Sequence, residues 1–174
     1  MSMSLFDPFN LRKKARDKSV DMVKTGASKV VGQVKAKANA TPKNITYPVK
    51  SWDIHREAIK SVLEQSKAWD YADKWLKTHN KSLYKYKYLE SPGELVKEPK
   101  NQYDKNAIAV MIDDATVGYI SRDDNLAVAE LLKKHVIESI IVTINGGPYK
   151  YIDEDGEVSK VNDDFNVKVS IRYY

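Results

Sequence analysis

Between Glu98 and Val110 the chain reads Glu-Pro-Lys-Asn-Gln-Tyr-Asp-Lys-Asn-Ala-Ile-Ala-Val. A short turn later it continues Val117-Gly118-Tyr119-Ile120 and then Ser121-Arg122. Carboxylate, amide, phenol and guanidinium groups are therefore gathered in one stretch. Such groups accept and donate hydrogen bonds and stack on flat rings, which is the chemistry of binding rather than of bond breaking. Upstream, Tyr84-Lys85-Tyr86-Lys87-Tyr88 alternates aromatic and basic residues. The downstream motif also has a purely architectural explanation. Asn101, Asp104 and Asn106 are turn formers whose side chains bond local backbone. Ala107, Ile108 and Val110 suit a core strand, and Val117-Gly118 suits a hairpin with a close backbone approach.

Other chemistries find less support. The histidines, His55, His79 and His135, are far apart and lack metal-ligand spacing. With no cysteine in the chain, disulfides and thiolate zinc sites are excluded. Asp153-Glu154-Asp155-Gly156 has a calcium-loop flavour, but its glycine is fourth where an EF-hand needs it sixth, so a hairpin tip is expected. The pairs Asp113-Asp114, Asp123-Asp124 and Asp163-Asp164 each adjoin an expected turn or helix start, where aspartate belongs without a two-metal centre. No nucleophile triad and no Gly-x-x-x-x-Gly-Lys phosphate loop is present. The expectation is a non-enzymatic protein with neither cofactor nor metal.

The elements that position the motif follow from periodicity. Ile54, Ala58, Ile59, Val62 and Leu63 form one apolar stripe, and Trp69, Ala72, Trp75 and Leu76 another. One or two helices are predicted within 51–80, started by Ser51 or Asp53 and capped at Asn80. The tryptophans fit core better than base-stacking platforms. Beyond residue 80, short strands are predicted: the Tyr84–Tyr88 alternation, Glu94–Glu98 after a Pro92-Gly93 turn, Ala107–Ile112 and Thr116–Ile120. A helix over Arg122–His135 follows, then strands at Ile137–Asn145, Tyr149–Ile152, Glu157–Lys160 and Val167–Tyr173. Many short strands with tight turns and one helix describe an α+β protein built on a small closed or partly open barrel.

The motif from Glu98 to Val110, followed by Val117-Gly118 and an aromatic residue, resembles the signature of the HIRAN domain family. The resemblance covers roughly the last ninety residues. It implies an OB-like barrel that holds the 3′ end of single-stranded DNA, in characterised members as a targeting module beside a separate ATPase. By the same resemblance, Tyr103 stacks on or lines the pocket and Asp104 accepts a hydrogen bond from the 3′-hydroxyl. Asn101 supports that turn. Tyr119 stands where the family has an aromatic or histidine, and Arg122 where a basic residue meets phosphate. Tyr86, Lys87 and Tyr88 stand in for the family's Arg-Tyr-Tyr run, in a different order and without its following glycine. Single-stranded DNA ends are then the expected ligand, with an ATPase, helicase or nuclease as a candidate partner protein.

Charge divides the chain of 174 residues. Residues 1–50 hold 11 Lys/Arg against 3 Asp/Glu, residues 51–79 hold 5 of each, and residues 80–174 hold 13 against 16. A basic arm (1–50) thus precedes a neutral helical region (51–80) and a mildly acidic barrel (81–174), which suggests polyanion contact through the arm. Within the arm, Leu5, Phe6 and Phe9 form an apolar tip. Val20, Val23, Ala27, Val30, Val31 and Val34 give Ser19–Ala38 a weak amphipathic helical pattern, and Thr41-Pro42-Lys43-Asn44 reads as a linker. The alternative function is a protein-interaction adaptor whose arm docks to a membrane surface or partner. The absence of a secretory pattern or a membrane-length apolar run makes a cytoplasmic location the expectation.

Overall fold

The computed structural model describes residues 40–79 and 81–174. The helical pattern at Ser19–Ala38, the apolar tip and the Asn80 cap lie outside the described residues. The chain forms β1 (Lys43–Pro48), α1 (Arg56–Val62), a 3-10 turn (Lys67–Tyr71) and α2 (Ala72–His79). It continues with β2 (Leu83–Tyr84), β3 (Leu89–Pro92), β4 (Glu94–Lys97), β5 (Ile108–Ile112) and β6 (Ala115–Tyr119). The last elements are α3 (Asn125–Lys134), β7 (Ile137–Gly146), β8 (Tyr149–Ile152), β9 (Val158–Val161) and β10 (Phe165–Tyr173). The class is α+β, as the pattern predicts. The strands form three open sheets, ordered β1-β10-β7-β3, β2-β8-β9 and β4-β5-β6, consistent with a small OB-like fold.

The core follows from alternation. Along β10, Phe165, Val167, Val169 and Ile171 are buried while Asn166 and Lys168 face outward. Val169 pairs with Val142 and Val167 with Ile144 across the β10–β7 ladder, both partners buried. Ile108, Val110, Ile112 and Val117 from the third sheet, Ile59 from α1 and Val128 from α3 complete the same cluster. A smaller cluster of Ala68, Ala72, Leu76 and Leu83 carries Trp69 and Trp75 as packed partners, so both tryptophans serve packing.

Several local expectations need correction. Lys43 and Asn44 are not linker: they open β1, whose six residues pair with β10 from Lys43↔Tyr173 to Pro48↔Lys168. The Ile45-Thr46-Tyr47 run between prolines is short, but Tyr47 is buried against the main cluster and that burial fixes the strand. Neither Ser51 nor Asp53 caps α1; His55 occupies the N-cap position with no side-chain cap bond. Pro92-Gly93 is not a reverse turn. It is where the chain leaves one sheet for another, since β3 pairs with β7 and β4 with β5. A Cβ at Gly93 would collide with the Val142 side chain and lie 2.9 Å from the Met111 carbonyl oxygen, so the crossing needs glycine.

The Tyr84–Tyr88 alternation is not one continuous strand. The pairing beside β8 ends at Lys85, whose N–H donates to Pro148 O (2.8 Å) while its carbonyl turns to a new partner and accepts from Ser66 N–H (2.8 Å). The Lys87 N–H then donates to Glu64 O (2.9 Å). The β8–β9 hairpin forms as expected. Asp153 Oδ1 accepts the Asp155 and Glu157 N–H groups and Oδ2 accepts the Ser159 hydroxyl. The Ser159 bond leads in holding the Asp153 carboxyl below its usual pKa, with the Glu157 N–H next.

Candidate functional site

The loop between β4 and β5 organises the motif. Its ends close through Glu98 N–H to Ala107 O (2.9 Å), and Asn101 N–H donates to Glu98 O (2.9 Å). Asn101 Oδ1 accepts from Tyr103 N–H (2.9 Å) and Asp104 N–H (3.2 Å), while its Nδ2 donates to Glu98 Oε2 (2.9 Å). Asp104 Oδ1 accepts from Asn106 N–H (2.8 Å). The turn chemistry foreseen for Asn101 and Asp104 is therefore present. It has a second consequence: the tight loop pushes the Tyr103 side chain outward, leaving the residue 79% exposed.

The opposite side comes from the end of β6 and the segment after β1. Tyr119 bridges to Lys50 through both backbone bonds, Lys50 N–H to Tyr119 O (2.8 Å) and Tyr119 N–H to Lys50 O (2.9 Å). Its hydroxyl donates to Glu98 Oε2 (3.2 Å). Burial raises the Tyr119 pKa above its usual value, and the Glu98 charge and hydrogen bond raise it further. The His55 ring lies against Tyr119 with centroids 5.5 Å apart. Trp52 holds the same segment down, packing edge-on to Phe165 (6.5 Å) beneath the Arg56 guanidinium (5.2 Å).

The Asp104 carboxylate is held in the pocket wall, its side chain 18% exposed. Its Oδ2 accepts from Asn125 Nδ2 (2.8 Å), and Arg122 Nε lies 3.8 Å from the same oxygen. Arg122 also donates to Tyr103 O (3.2 Å), tying the start of α3 to the loop, and its side chain is otherwise largely in solvent. A carboxylate offers about four acceptor positions. The two close bonds leave Asp104 capacity for a ligand donor.

Asn101, Tyr103, Asp104, Tyr119 and Arg122 all line one pocket of about 490 Å³, with Lys50, Ser51, Ile54, His55, Gln102 and Asn125. Tyr86 and Tyr88 do not join them. They border a separate depression with Tyr84, Asn145 and Asp164, and Lys87 is engaged by Glu64 (2.6 Å). The run is held by Pro148 and by the segment 64–66, none of which lines the pocket around Asp104. Among the described residues no three His, Asp or Glu side chains gather to hold a metal, and no helix is long and apolar enough to cross a membrane.

The model of the HIRAN domain matches residues 69–170 of this chain, more than half its length. The chain belongs to the HIRAN family. Membership implies DNA binding. No curated protein and no solved structure matches the chain. The HIRAN match includes the whole Glu98–Asn106 loop and α3 but begins after Lys50–His55, so one wall of the pocket is built by residues preceding it. Sequence reasoning missed that wall. Ile54 was expected in an apolar helix stripe, yet it precedes α1 and is 75% exposed. Asn125 carries no sequence signal beyond its place near a helix start, and His55 none beyond the metal-ligand spacing it lacks.

Proposed function

We propose that this pocket holds the free 3′-hydroxyl end of single-stranded DNA and performs no reaction on it. The observation that carries the reading is the convergence of the five motif residues on one pocket around a mostly buried carboxylate with acceptor capacity to spare. In this reading the exposed Tyr103 ring stacks on the terminal base, a contact worth about 1–3 kcal/mol. Asp104 accepts a hydrogen bond from the terminal hydroxyl and repels a terminal phosphate. Arg122 and Lys50 meet the phosphates that follow. Tyr119 and Asn101 hold the frame through their shared acceptor, Glu98 Oε2. A module of this kind serves a separate ATPase, helicase or nuclease.

The test is fluorescence anisotropy on matched oligodeoxynucleotides ending in a 3′-hydroxyl or a 3′-phosphate. Wild type is expected to bind the hydroxyl end at least tenfold more tightly, the scale of a hydrogen bond to a charged group. Asp104→Asn is expected to erase most of that discrimination. Equal wild-type affinity for both ends would place binding outside the pocket and overturn the reading.

A further inference from the structure

Among the described residues two side-chain polar atoms are buried without a hydrogen-bond partner, His55 Nε2 and Asn125 Oδ1. Both residues line the pocket that contains Asp104. Burying a polar atom unpaired costs the whole of its desolvation, so orphans are rare and concentrate where a ligand is to be met. Two of them in one pocket, one on each wall, call for a ligand group that satisfies both.

The orientation of Asn125 is fixed by chemistry. Asp104 Oδ2 is an acceptor, so the amide group 2.8 Å from it must be the nitrogen. That leaves Oδ1, on a residue only 2% exposed, as an acceptor with nothing to accept. Two lining residues joined by one hydrogen bond therefore hold acceptor capacity in reserve: Asp104, and Asn125 through its buried carbonyl oxygen. On the facing wall the His55 ring is set against Tyr119, and its Nε2 donates or accepts according to tautomer.

A single terminal hydroxyl uses Asp104 and leaves Asn125 Oδ1 unpaired. Two neighbouring hydroxyls use both acceptors, and the oxygen of the second can accept from His55 Nε2–H. In a nucleic acid, two neighbouring free hydroxyls occur at a 3′-terminal ribose, where the 2′- and 3′-oxygens stand on adjacent carbons. The 2′-hydroxyl is both donor and acceptor, which is what this pair of orphans asks for. We infer that the pocket is built for a strand whose last residue is a ribonucleotide, whether an RNA or a DNA ending in one ribonucleotide. This inference rests on the reading of the pocket as a site for a 3′-hydroxyl end.

The experiment uses the full chain and four strands of one sequence: DNA with a terminal deoxyribonucleotide, the same with a terminal ribonucleotide, the same with a 3′-phosphate, and all-RNA. The terminal ribonucleotide is expected to bind about fivefold more tightly than its deoxy counterpart, the effect of one neutral hydrogen bond. All-RNA binding tighter than the ribonucleotide-ended DNA would support the inference with RNA as the source. Weaker binding would support it with DNA as the source. Equal affinity of ribo and deoxy ends, with the hydroxyl still preferred over the phosphate, overturns the ribose inference alone. Loss of hydroxyl-over-phosphate discrimination overturns the end reading beneath it. His55→Phe keeps a ring beside Tyr119 but removes Nε2, and is expected to shrink the ribose preference. An undiminished preference in that variant would overturn the role given to His55.

Discussion

At the scale of single residues, the side chains that shape the loop are also the ones to which the proposed function gives the ligand. Asn101 and Asp104 spend their side chains on the loop backbone, and that expenditure sets Tyr103 free. Turn formation and ligand binding are therefore separable at Tyr103 but not at Asp104. Tyr103→Ala removes an exposed ring whose loss leaves folding stability within about 0.5 kcal/mol of wild type. Its affinity for a single strand is expected to fall by the worth of one base stack, about 1–3 kcal/mol. Thermal melting and anisotropy on the same sample check the two halves together. The sequence made this cluster legible because turn residues are read locally. It did not make Asn125 or His55 legible, because what marks them is an atom left without a partner, and an unpaired atom has no sequence signature. That Tyr86 and Tyr88 border a different depression was not legible for the opposite reason: an alternating pattern says which residues share a face, but not which partner that face meets.

At the scale of elements, the pocket depends on how β6 meets the segment after β1. Gly118 sits at φ +147°, and a Cβ there would lie 2.5 Å from Val49 Cγ1 and 2.6 Å from the Lys50 carbonyl oxygen. The buried Val49 side chain and the Lys50 backbone both stand in the way, so the two segments must part to admit a methyl group. The paired backbone bonds between Lys50 and Tyr119 are the next link in that contact, and they position Ser51, Ile54 and His55 over the loop. Gly118→Ala is expected to lower stability by about 2 kcal/mol or more, from strain and lost packing together. It is expected to weaken end binding beyond what that destabilisation explains, because it displaces a wall of the pocket. Denaturant unfolding gives the first quantity. Anisotropy well below the melting transition gives the second, and unchanged affinity there would show that the wall is dispensable. The helices and the long strands were legible from periodicity, since β10 buries every second residue over nearly its whole length. β1 was not, because five residues between two prolines carry too little pattern, and their pairing with the last strand spans almost the entire described chain.

At the scale of the whole molecule, charge and pocket divide the work. Residues 1–39 hold nine Lys/Arg against three Asp/Glu, while residues 40–174 hold 20 against 21. A near-neutral body gains little from counterion release, so its affinity for a strand must come from stacking and from a few directed bonds. An arm with a net charge of +6 is expected to have the reverse character: any phosphate contacts it makes would be strong at low salt, weak at high salt and indifferent to how the strand ends. The two contributions differ in their dependence on ionic strength, and that difference separates them. Pro42–Tyr174 forms a compact unit, so a chain beginning at residue 40 retains β1 and both walls of the pocket. For the full chain the logarithm of affinity is expected to fall with the logarithm of salt concentration at about 0.7 per phosphate contact. For residues 40–174 that slope should be much shallower, while the ratio of affinities for hydroxyl and phosphate ends stays the same. Anisotropy from about 50 to 200 mM salt on both chains makes the comparison. A slope that survives removal of the arm would put the phosphate contacts on the body, at Arg122 and Lys50 beside the pocket, and the arm would then need a different partner.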